Sequence, residues 1–385
     1  MTARGRWVFV ALVVVYACIV IPLGIRKGDD IVAEISEAQR LLGAQMISTA
    51  PPTQGVWWPP FGTLLVVPFA AVASVSLPLA KGLWGALGIA ALAWAVYKSG
   101  TLWGWRAAVI ALAVVIFPIH NNFHHLNIET ILLALVVATA ADLSRGSPGR
   151  AGVWAGLATA LKVFPGLLLV YFAVRREWRA FGAGVATCAG ATLAALLPLG
   201  PAGMVHALEN YASLVMHSQS HIGGTVAGLH MQKLGRLGYA LGGAPASIVL
   251  LHLVALGLVA AILFARPRED DAPLEVGSVM LLAVLLTPIA WLHTFTLGYL
   301  AWVAAFAYVP PEGVGPRRAW IWCLSAAAVY ASTALTALHL PEWLGFVTFH
   351  DDTLGALVAL ALLAWLRIAR VRQTAPPHAR SPLPV

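Results

Sequence analysis

Four acidic side chains follow directly after the first apolar stretch of the chain. In RKGDDIVAEISEAQRLLGAQ, residues 26–45, they are Asp29, Asp30, Glu34 and Glu37. A carboxylate at the boundary between lipid and water can take the proton from a hydroxyl group as that hydroxyl attacks a second substrate. Carboxylates in the first turn of a helix also favour its dipole and cap its free N–H groups. Two roles are therefore open for Asp29 and Asp30, general base and helix cap.

One lysine stands deep in an apolar run. Lys162 of GLATALKVFPGLLLVYF lies about ten residues from either end of its segment, which is far for an ammonium to reach the membrane surface. A charge at that depth is costly and indicates function. We expect Lys162 to bind phosphate, with a structural lysine as the alternative. No glycine-rich strand-to-helix turn precedes it, so it does not belong to a Walker loop.

Histidine and asparagine side chains interrupt the apolar pattern at two further places. FPIHNNFHHLNIET, residues 117–130, contains His125 and Asn127, and LLTPIAWLHTFTLGY contains Trp291 and His293. This mixture suits hydrogen bonding to hydroxyl groups or phosphate, whereas adjacent histidines without an HExxH pattern make a zinc site a poor interpretation. His293 is either a buried core histidine or a ligand of the substrate.

Two loop segments add aromatic and polar side chains. Trp57 and Trp58 of GVWWPPFGTLL suit the headgroup belt of a membrane, and beside a carboxylate they also suit a stacking platform for a sugar. MHSQSHIGGTVAGLHMQKLGR, which contains His221, has flexible glycines and many donors. We expect this second segment to cover a substrate.

Membrane helices must position these residues. The chain has 385 residues, of which 60% are hydrophobic and only 10% are charged, and its mean hydropathy is +0.82. A soluble domain carries about a quarter charged residues, so we predict an all-α polytopic membrane protein. Its three cysteines, Cys18, Cys188 and Cys323, lie in apolar runs without a metal-binding spacing.

The apolar runs are long enough to predict about twelve spans in a single domain, residues 1–372. The predicted spans are 6–26, 61–77, 79–98, 103–119, 128–143, 150–173, 179–199, 246–265, 275–290, 292–309, 318–338 and 353–371. The gaps at 27–60 and 200–245 are too long for simple turns, so we expect functional loops there. The Pro-rich stretch 373–385 predicts a disordered cytoplasmic tail.

Basic residues beside the predicted spans orient the chain. If most arginines face the cytoplasm, both long loops and the turn around His293 lie outside. Four basic residues of the first half then fall on the wrong side if every span crosses: Lys98, Arg106, Arg145 and Arg150. We therefore predict that 150–173 is a bent pair of half-helices around Lys162, and that a piece near 61–77 does not cross.

The first long loop has the pattern of an amphipathic helix. Its apolar residues recur at Ile31, Ile35, Ala38, Leu42 and Met46. This spacing predicts a short helix lying on the membrane surface, with the polar side chains pointing away from the lipid: Glu34, Glu37 and Arg40.

The motifs occur in an order that resembles glycosyltransferase family 87 of the GT-C superfamily, which includes polyprenol-phosphate-mannose-dependent α-mannosyltransferases of actinobacteria. The resemblance extends from about residue 26 to 300 and rests on DDIVAEISEAQRLLG, WWPPFGTLLVVPFA, HHLNIETILLAL, GLATALKVFPGLLLVYF and LLTPIAWLHTF. It implies a GT-C fold with about 11–12 transmembrane helices, a long first external loop and an outward-facing site. It also implies a lipid-phosphate sugar donor, with no nucleotide sugar.

The resemblance also implies roles for particular residues. The essential aspartate of the family falls on Asp30, or on Asp29 if the alignment slips by one, and the motif lysine falls on Lys162. The Trp-x-His turn falls on Trp291 and His293, and the motif asparagine on Asn127, with His125 beside it. The sequence departs from the family pattern at His124 and His125 in place of Gly-Gln, at Leu292 in place of Asp, and at Ala33 and Glu34 in place of tyrosine. The last departure leaves the sugar open.

The resulting hypothesis is a membrane glycosyltransferase at the outer face of the plasma membrane. It would move a sugar, with mannose as first choice, from a polyprenyl phosphate to a glycolipid or cell-envelope glycan, inverting the anomeric centre with an aspartate base. No cofactor, metal or nucleic-acid partner is expected. A lipid or anion transporter is the alternative and predicts inverted repeats with paired broken helices; an assembly subunit predicts no converging polar residues.

Overall fold

The chain is helical throughout the part that the structure describes. The computed structural model describes residues 3–43, 47, 58–222, 245–265, 271–287, 290–308, 316–331 and 345–374. No strand occurs among these residues, so the predicted all-α class is confirmed. Several features predicted from sequence lie outside them: Met46 of the amphipathic pattern, Trp57, the loop at 223–244 and the tail from 375 onward.

The first nine helices lead from the N-terminus to residue 174. They are α1 Ala3–Lys27, α2 Asp29–Leu42, α3 Pro60–Ala73, α4 Leu77–Ser99, α5 Trp105–Val114, α6 Ile116–His125, α7 Glu129–Leu143, α8 Pro148–Leu161 and α9 Leu167–Val174. A π turn, Gly100–Gly104, joins α4 to α5, and a 3-10 turn, Phe164–Gly166, precedes α9.

Seven further helices follow. They are α10 Trp178–Ala194, α11 Leu196–Ile222, α12 Pro245–Phe264, α13 Ala272–Leu286, α14 Tyr299–Ala307, α15 Pro316–Ala331 and α16 Gly345–Thr374. A 3-10 helix, Leu292–Gly298, precedes α14, so the predicted span 292–309 consists of two helical pieces. The second long loop was predicted to begin at residue 200, but α11 continues through it to Ile222, with a kink at Gly200 where φ is 66°.

Few of the described helices are long and apolar enough to cross a bilayer alone. Arg4–Lys27 and Leu77–Val114 meet both conditions, and the pair Trp178–Ala194 and Leu196–Ser213 does so only if it counts as one span bent by 92°. Seven shorter apolar helices of 10–17 residues accompany them. The predicted number of about twelve full spans is therefore not reproduced within the described residues, since several predicted spans are short or broken helices.

α1 and α4 lie side by side in opposite directions. Ile25 of α1 contacts Gly82 near the start of α4, and the ring of Phe9 lies 6.3 Å from that of Tyr97 near its end. The chain therefore leaves α1 and begins α4 at the same end of the molecule. α2 and α3, which lie between them in sequence, therefore start and finish at the same end of the molecule, as the sequence pattern predicted for the piece near 61–77.

This course resolves the conflict among the basic residues. Phe9 also packs on Trp105, which precedes Arg106, so that arginine shares the Arg4 end of α1. Lys98, Arg145 and Arg150 lie close enough together for their charges to interact, and Arg150 pairs with Asp142 at 3.3 Å. We call this end of the molecule, with the residues just named, the basic end.

Residues 148–174 form the predicted bent pair. α8 starts at the basic end, and Lys162 follows its last residue in an extended conformation, with φ −146° and ψ 135°. α10 runs parallel to α8, because Gly152 meets Ala180 and Gly156 meets Gly184. α9 therefore returns to the basic end before α10 begins, and Lys162 lies at the tip of a helical hairpin.

α2 forms where the amphipathic pattern predicted it, but its surroundings differ from the prediction. Ile31, Ile35 and Ala38 are buried as expected, whereas Leu42 is exposed. The acidic residues Glu34 and Glu37, expected to point away from the lipid, are buried as well. One face of the helix, with Ser36 and Gln39, remains exposed, but Glu34 and Glu37 belong to the side that the protein covers.

The basic end also contains a buried ionic cluster. Arg367 of α16 pairs with Asp271 and Glu275 at the start of α13, and Arg175 pairs with Glu275 at 3.2 Å. Tyr171 of α9 donates a hydrogen bond to Glu275 at 2.9 Å. Paired buried charges tie α9, α13 and α16 together far from Lys162, so we assign this cluster to helix packing.

Candidate active site

The start of α2 is held against the loop between α6 and α7. An added Cβ on Gly24 would lie 2.6 Å from Leu126 Cδ2, and one on Gly28 would lie 2.6 Å from Leu126 Cδ1. Leu126 has a left-handed backbone with φ 53°, and its carbonyl accepts a hydrogen bond from Trp84 Nε1 at 2.9 Å. The two glycines let α1 and α2 pass close to this fixed turn, which brings the first acids to the His125–Asn127 segment.

Asp29 is the exposed member of the acid pair. Its Oδ1 lies 2.8 Å from His125 Nδ1. Partial burial raises the pKa of the Asp29 carboxyl, but the hydrogen bond and charge of His125 outweigh burial, and the pKa lies below its ordinary value. Burial lowers the pKa of the His125 imidazole, while the bond to Asp29 and the charges of Asp29 and Asp30 raise it above its ordinary value. The two side chains thus form an ion pair at the surface of the site.

Asp30 has a different environment. Asn127 Nδ2 donates a hydrogen bond to Asp30 Oδ2 at 2.6 Å. Burial raises the pKa of the Asp30 carboxyl above its ordinary value, although the Asn127 bond and the charges of His125 and Lys162 oppose the shift. A carboxylate with a raised pKa accepts a proton more readily near neutral pH, which is what a general base requires.

Asn127 is fixed in the orientation that serves Asp30. Its Oδ1 accepts the backbone N–H of Ile128 at 2.7 Å and the Nζ of Lys162 at 3.2 Å. Because its oxygen is occupied by two donors, its NH₂ group must face the carboxylate. The chain of hydrogen bonds from Asp30 through Asn127 to Lys162 joins three segments that are distant in sequence.

Lys162 has a carboxylate partner that the sequence analysis did not single out. Its Nζ lies 2.5 Å from Oε1 of Glu129, whose side chain is 0% exposed, while the lysine side chain is 12% exposed. Glu129 Oε2 has no hydrogen-bond partner. The sequence offered one signal for this residue, because Glu129 is an acid at the start of the apolar run ETILLAL. An acid in an apolar segment is a functional candidate, since its transfer into lipid costs free energy.

His293 lies on the other side of the histidine segment. It is 4% exposed, its Nδ1 lies 3.3 Å from Asn121 Oδ1, and its ring centre is 6.0 Å from that of His125. The 3-10 helix Leu292–Gly298 holds it there, with the backbone N–H of Trp291 donating to Thr294 Oγ1 at 3.3 Å. His293 therefore belongs to the same cluster as Asp29, Asp30, Asn127 and Lys162.

The remaining predicted residues lie differently. Trp58 is 3% exposed and its ring lies 5.7 Å from that of Trp84, so it offers no open face for a sugar in this structure. Trp291 is half-buried beside His293, and no described polar group of the cluster binds its ring nitrogen. His221 is in the last turn of α11, with its side chain outside the described residues.

Three of the clustered side chains are close enough to offer atoms to a metal ion. One ligand atom from each of Asp29, Asp30 and His125 lies within 4.8 Å of the others. Each already has a protein partner, because Asp29 binds His125 and Asp30 binds Asn127. The same hydrogen bonds hold the three side chains together within the protein.

Glu34 is a further buried acid one helical turn from Asp30. Its Oε2 has no hydrogen-bond partner. Burial raises the pKa of the Glu34 carboxyl well above its ordinary value, and the charges of Glu37 and Asp30 add to the shift, while a bond from the Trp58 backbone opposes it. Glu34 is thus a buried acid whose pKa is raised mainly by burial, and Asp29 and Asp30 are the acids that face the cluster.

The cluster lies at the end of the molecule opposite the basic end. It contains a base with a raised pKa, a fixed amide, an ammonium group and two imidazoles. Such a set can take a proton from an attacking hydroxyl and stabilise negative charge on a leaving oxygen. A hydrolase of glycosidic bonds would instead place two catalytic carboxyl groups on either side of the bond.

Comparison with known proteins identifies relatives of the chain. The family model of glycosyltransferase family 87 matches residues 57–288. A polyprenol-phosphate-mannose-dependent alpha-(1-2)-phosphatidylinositol mannoside mannosyltransferase of Mycolicibacterium smegmatis is 27% identical over 66% of this chain and 56% of that protein. The protein of the same description from Mycobacterium tuberculosis is 28% identical over 51% of this chain and 48% of that protein. The chain thus spans about half the length of these curated relatives.

One solved structure is also similar. ArnT from Cupriavidus metallidurans, bound to undecaprenyl phosphate, is 17% identical with a TM-score of 0.46, and the match covers 96% of this chain and 79% of that one.

Proposed function

The chain belongs to glycosyltransferase family 87, and from this premise we propose that it transfers a mannosyl residue from a polyprenyl phosphate to a hydroxyl group of a membrane glycolipid. Mannose and the polyprenyl carrier are suggested by the descriptions of the two mycobacterial relatives. A phosphatidylinositol mannoside, the acceptor in those descriptions, is the first acceptor to test. The observation that carries the proposal is the hydrogen-bond chain from Asp30 through Asn127 to Lys162.

Asp30 is the proposed base. The acceptor oxygen forms a bond to the anomeric carbon as the bond from that carbon to the phosphate oxygen breaks, and the acceptor proton moves to Asp30. The electron pair of the broken bond leaves with the polyprenyl phosphate. A single displacement of this kind inverts the anomeric centre. Asp29 is the weaker candidate, because its bond to His125 lowers the pKa of its carboxyl.

Lys162 and His293 are proposed to bind the phosphate of the leaving group. An ammonium carries three N–H donors, and Glu129 and Asn127 accept two of those of Lys162. The third is left for a phosphate oxygen. His293 reaches Asn121 with one ring nitrogen and keeps the other for the substrate. Charge that develops on the leaving oxygen is stabilised most by donors already fixed in place.

The site is proposed to face outward. The basic end carries Arg4, Lys98, Arg145 and Arg150, and positive residues favour the cytoplasmic side. The acid cluster lies at the other end of α1 and α4, where a lipid-linked donor meets an acceptor outside the cell.

The test uses purified protein in liposomes with radiolabelled polyprenyl-phosphate mannose. Label on an added phosphatidylinositol mannoside, lost in Asp30→Asn, supports the proposal. Label that crosses the bilayer without chemical change supports a carrier and overturns it. Analysis of the product linkage by glycosidase digestion then decides whether the new bond has the inverted configuration.

A further inference from the structure

Lys81 is a second lysine at the end of the molecule that contains the acid cluster. It lies in the second turn of α4, three residues before Trp84, which binds the Leu126 carbonyl. The following residue, Gly82, contacts Ile25 at the end of α1. This packing places the lysine beside the start of α2, and the carboxylate of Asp29 is close enough to act on its charge.

The Lys81 side chain is buried without a partner. It is 6% exposed, and within the described residues its ammonium makes no hydrogen bond and no ion pair. Asp29, the nearby acid, is already bonded to His125 at 2.8 Å. The protein thus covers most of the side chain and leaves the ammonium without a described acceptor, whereas charged groups inside proteins are normally paired or hydrogen-bonded.

A lysine at a helix end often places its ammonium among lipid headgroups, but the exposure pattern of α4 argues against this for Lys81. The lipid-accessible face of this turn is formed by Leu79 and Leu83, which are 53% and 45% exposed. Lys81 shares the opposite, buried face with Ala80 and Trp84. Its stem therefore points into the protein, where headgroups do not reach unless a substrate brings one.

We propose that Lys81 binds a phosphate group of a lipid substrate beside Asp29. The inference rests on the proposed function and adds a phosphate-binding residue to it. The phosphate has two possible sources, the phosphodiester of the polyprenyl donor and the phosphodiester of a phospholipid acceptor. Either would supply a hydrogen-bond acceptor for the Lys81 ammonium, which the described residues do not.

The experiment compares Lys81→Met, which removes the charge and keeps the length, with Lys81→Arg, which keeps the charge. Lys98→Met is the matched control, because Lys98 lies at the basic end of the same helix over the ring of Trp94. We expect kcat/KM to fall roughly tenfold to a hundredfold in Lys81→Met, the range for a lost charged hydrogen bond, and to be largely kept in Lys81→Arg and Lys98→Met.

Two acceptors separate the sources of the phosphate. If Lys81 binds the donor, the KM for polyprenyl-phosphate mannose rises in Lys81→Met with a phosphatidylinositol mannoside and also with a phosphate-free alkyl mannoside. If Lys81 binds the acceptor, only the KM for the phosphatidylinositol mannoside rises. If Lys81→Met leaves the KM values for both substrates unchanged, the inference is overturned. The proposed function still stands in that case, provided that the wild type transfers mannose.

Thermal unfolding adds a readout that does not depend on turnover. Because Lys81→Met breaks no hydrogen bond or ion pair among the described residues, the Tm of the variant should be equal to or above that of the wild type. Polyprenyl phosphate and a phosphoinositide are each added to both proteins, and at least one should raise the Tm of the wild type more than that of Lys81→Met. A lower Tm without ligand, or equal shifts with each ligand, contradicts phosphate binding by Lys81.

Discussion

Asp29 and Asp30 are neighbours in sequence with different electrostatic environments. Asp29 is exposed and bonded to His125, which holds the pKa of its carboxyl below its ordinary value. Asp30 is more buried and bonded to a neutral amide, so the pKa of its carboxyl is raised. Two adjacent residues of α2 are therefore an ion-paired acid and a carboxylate suited to accept a proton.

Asp30→Asn should lower kcat by about 10²–10⁴-fold, the usual contribution of a general base. Asp29→Asn should lose less, because its carboxylate positions His125 and does not take the proton in our proposal. The measurement is the rate of mannosyl transfer at saturating donor, with the folded fraction checked by size-exclusion chromatography. A larger loss of kcat in Asp29→Asn than in Asp30→Asn would mean that Asp29 is the base and that Asp30 has the positioning role.

The pH profile should move in opposite directions for two variants. The base works only when deprotonated, so activity falls as pH drops through the pKa of Asp30. Asn127→Ala removes a bond that lowers this pKa, so the acid limb of kcat/KM should move to higher pH. Asp29→Asn removes a negative charge that raises it, so the limb should move to lower pH.

The measurement is kcat/KM across pH 4 to 8 for both variants and the wild type. The pH dependence of kcat/KM reports the pKa values of groups in the free enzyme. Shifts of the same sign would mean that the titrating group is not Asp30. His125 and Lys162 also act on Asp30 and are not substituted in either variant. Loss of the Asp29 bond lowers the pKa of His125, which opposes the shift in Asp29→Asn and should make it the smaller of the two.

Some of the clustered residues were predictable from sequence and others were not. Lys162 stands out because no polar residue explains it locally, and Asp30 because acids are rare in this chain. Glu129 is easily taken for an acid that favours the helix dipole, since its partner Lys162 is 33 residues away in sequence. Lys81 resembles an ordinary lysine at a helix end until the fold shows which face of α4 it occupies.

At the scale of elements, the close approach of α1 and α2 to Leu126 decides where the acids lie. Gly28→Ala should lower kcat/KM by roughly tenfold to a hundredfold, because a displaced base is costly even when the shift is small. Its Cβ would meet Gly24 O at 2.6 Å, and a backbone atom cannot move aside easily. The assay is mannosyl transfer by purified protein.

Gly82→Ala is the control for that substitution. A Cβ at this position meets only the end of the Ile25 side chain, at 3.5 Å, which is an ordinary contact. Its activity should remain within a factor of about two of the wild type, as for a surface change without strain. Equal losses in both variants would show that general crowding at this end, and not the Leu126 contact, controls activity.

α2 shows what an amphipathic pattern cannot predict. The spacing of Ile31, Ile35 and Ala38 predicted the helix and one buried face correctly. It also implied a free polar face, but Glu34 and Glu37 are buried by the rest of the protein. Hydrophobic periodicity reports which side chains avoid water, and it contains no information on polar side chains that are covered by a neighbouring segment.

At the scale of the whole molecule, the helical class and the bent α8–α9 hairpin were predicted from composition and charge placement. The number of full spans was not, because apolar runs of similar hydropathy form long helices, short helices and 3-10 pieces alike. α3 illustrates the reason. Its 14 residues are mostly apolar, as in a span, yet α1 ends and α4 begins at the same end of the molecule, so α3 leads to no net crossing.

Labelling of single cysteines should report the two ends of the molecule. With Cys18, Cys188 and Cys323 replaced by serine, Val75→Cys, between α3 and α4, should react with an impermeant maleimide on intact cells. Arg145→Cys, at the basic end, should react only after permeabilisation. Reaction of both on intact cells would contradict the placement of α3, since the two positions would then share one side.

The contact between Glu129 and Lys162 also has a consequence for biosynthesis. Glu129 leaves the ribosome 33 residues before its counter-ion, yet the two side chains end in direct contact and largely buried in the protein. A lone ionised carboxylate in α7 would resist partition into lipid. We therefore expect α7 to wait at the translocon as a neutral acid until α8 arrives, so that the two helices are released into the bilayer as one unit.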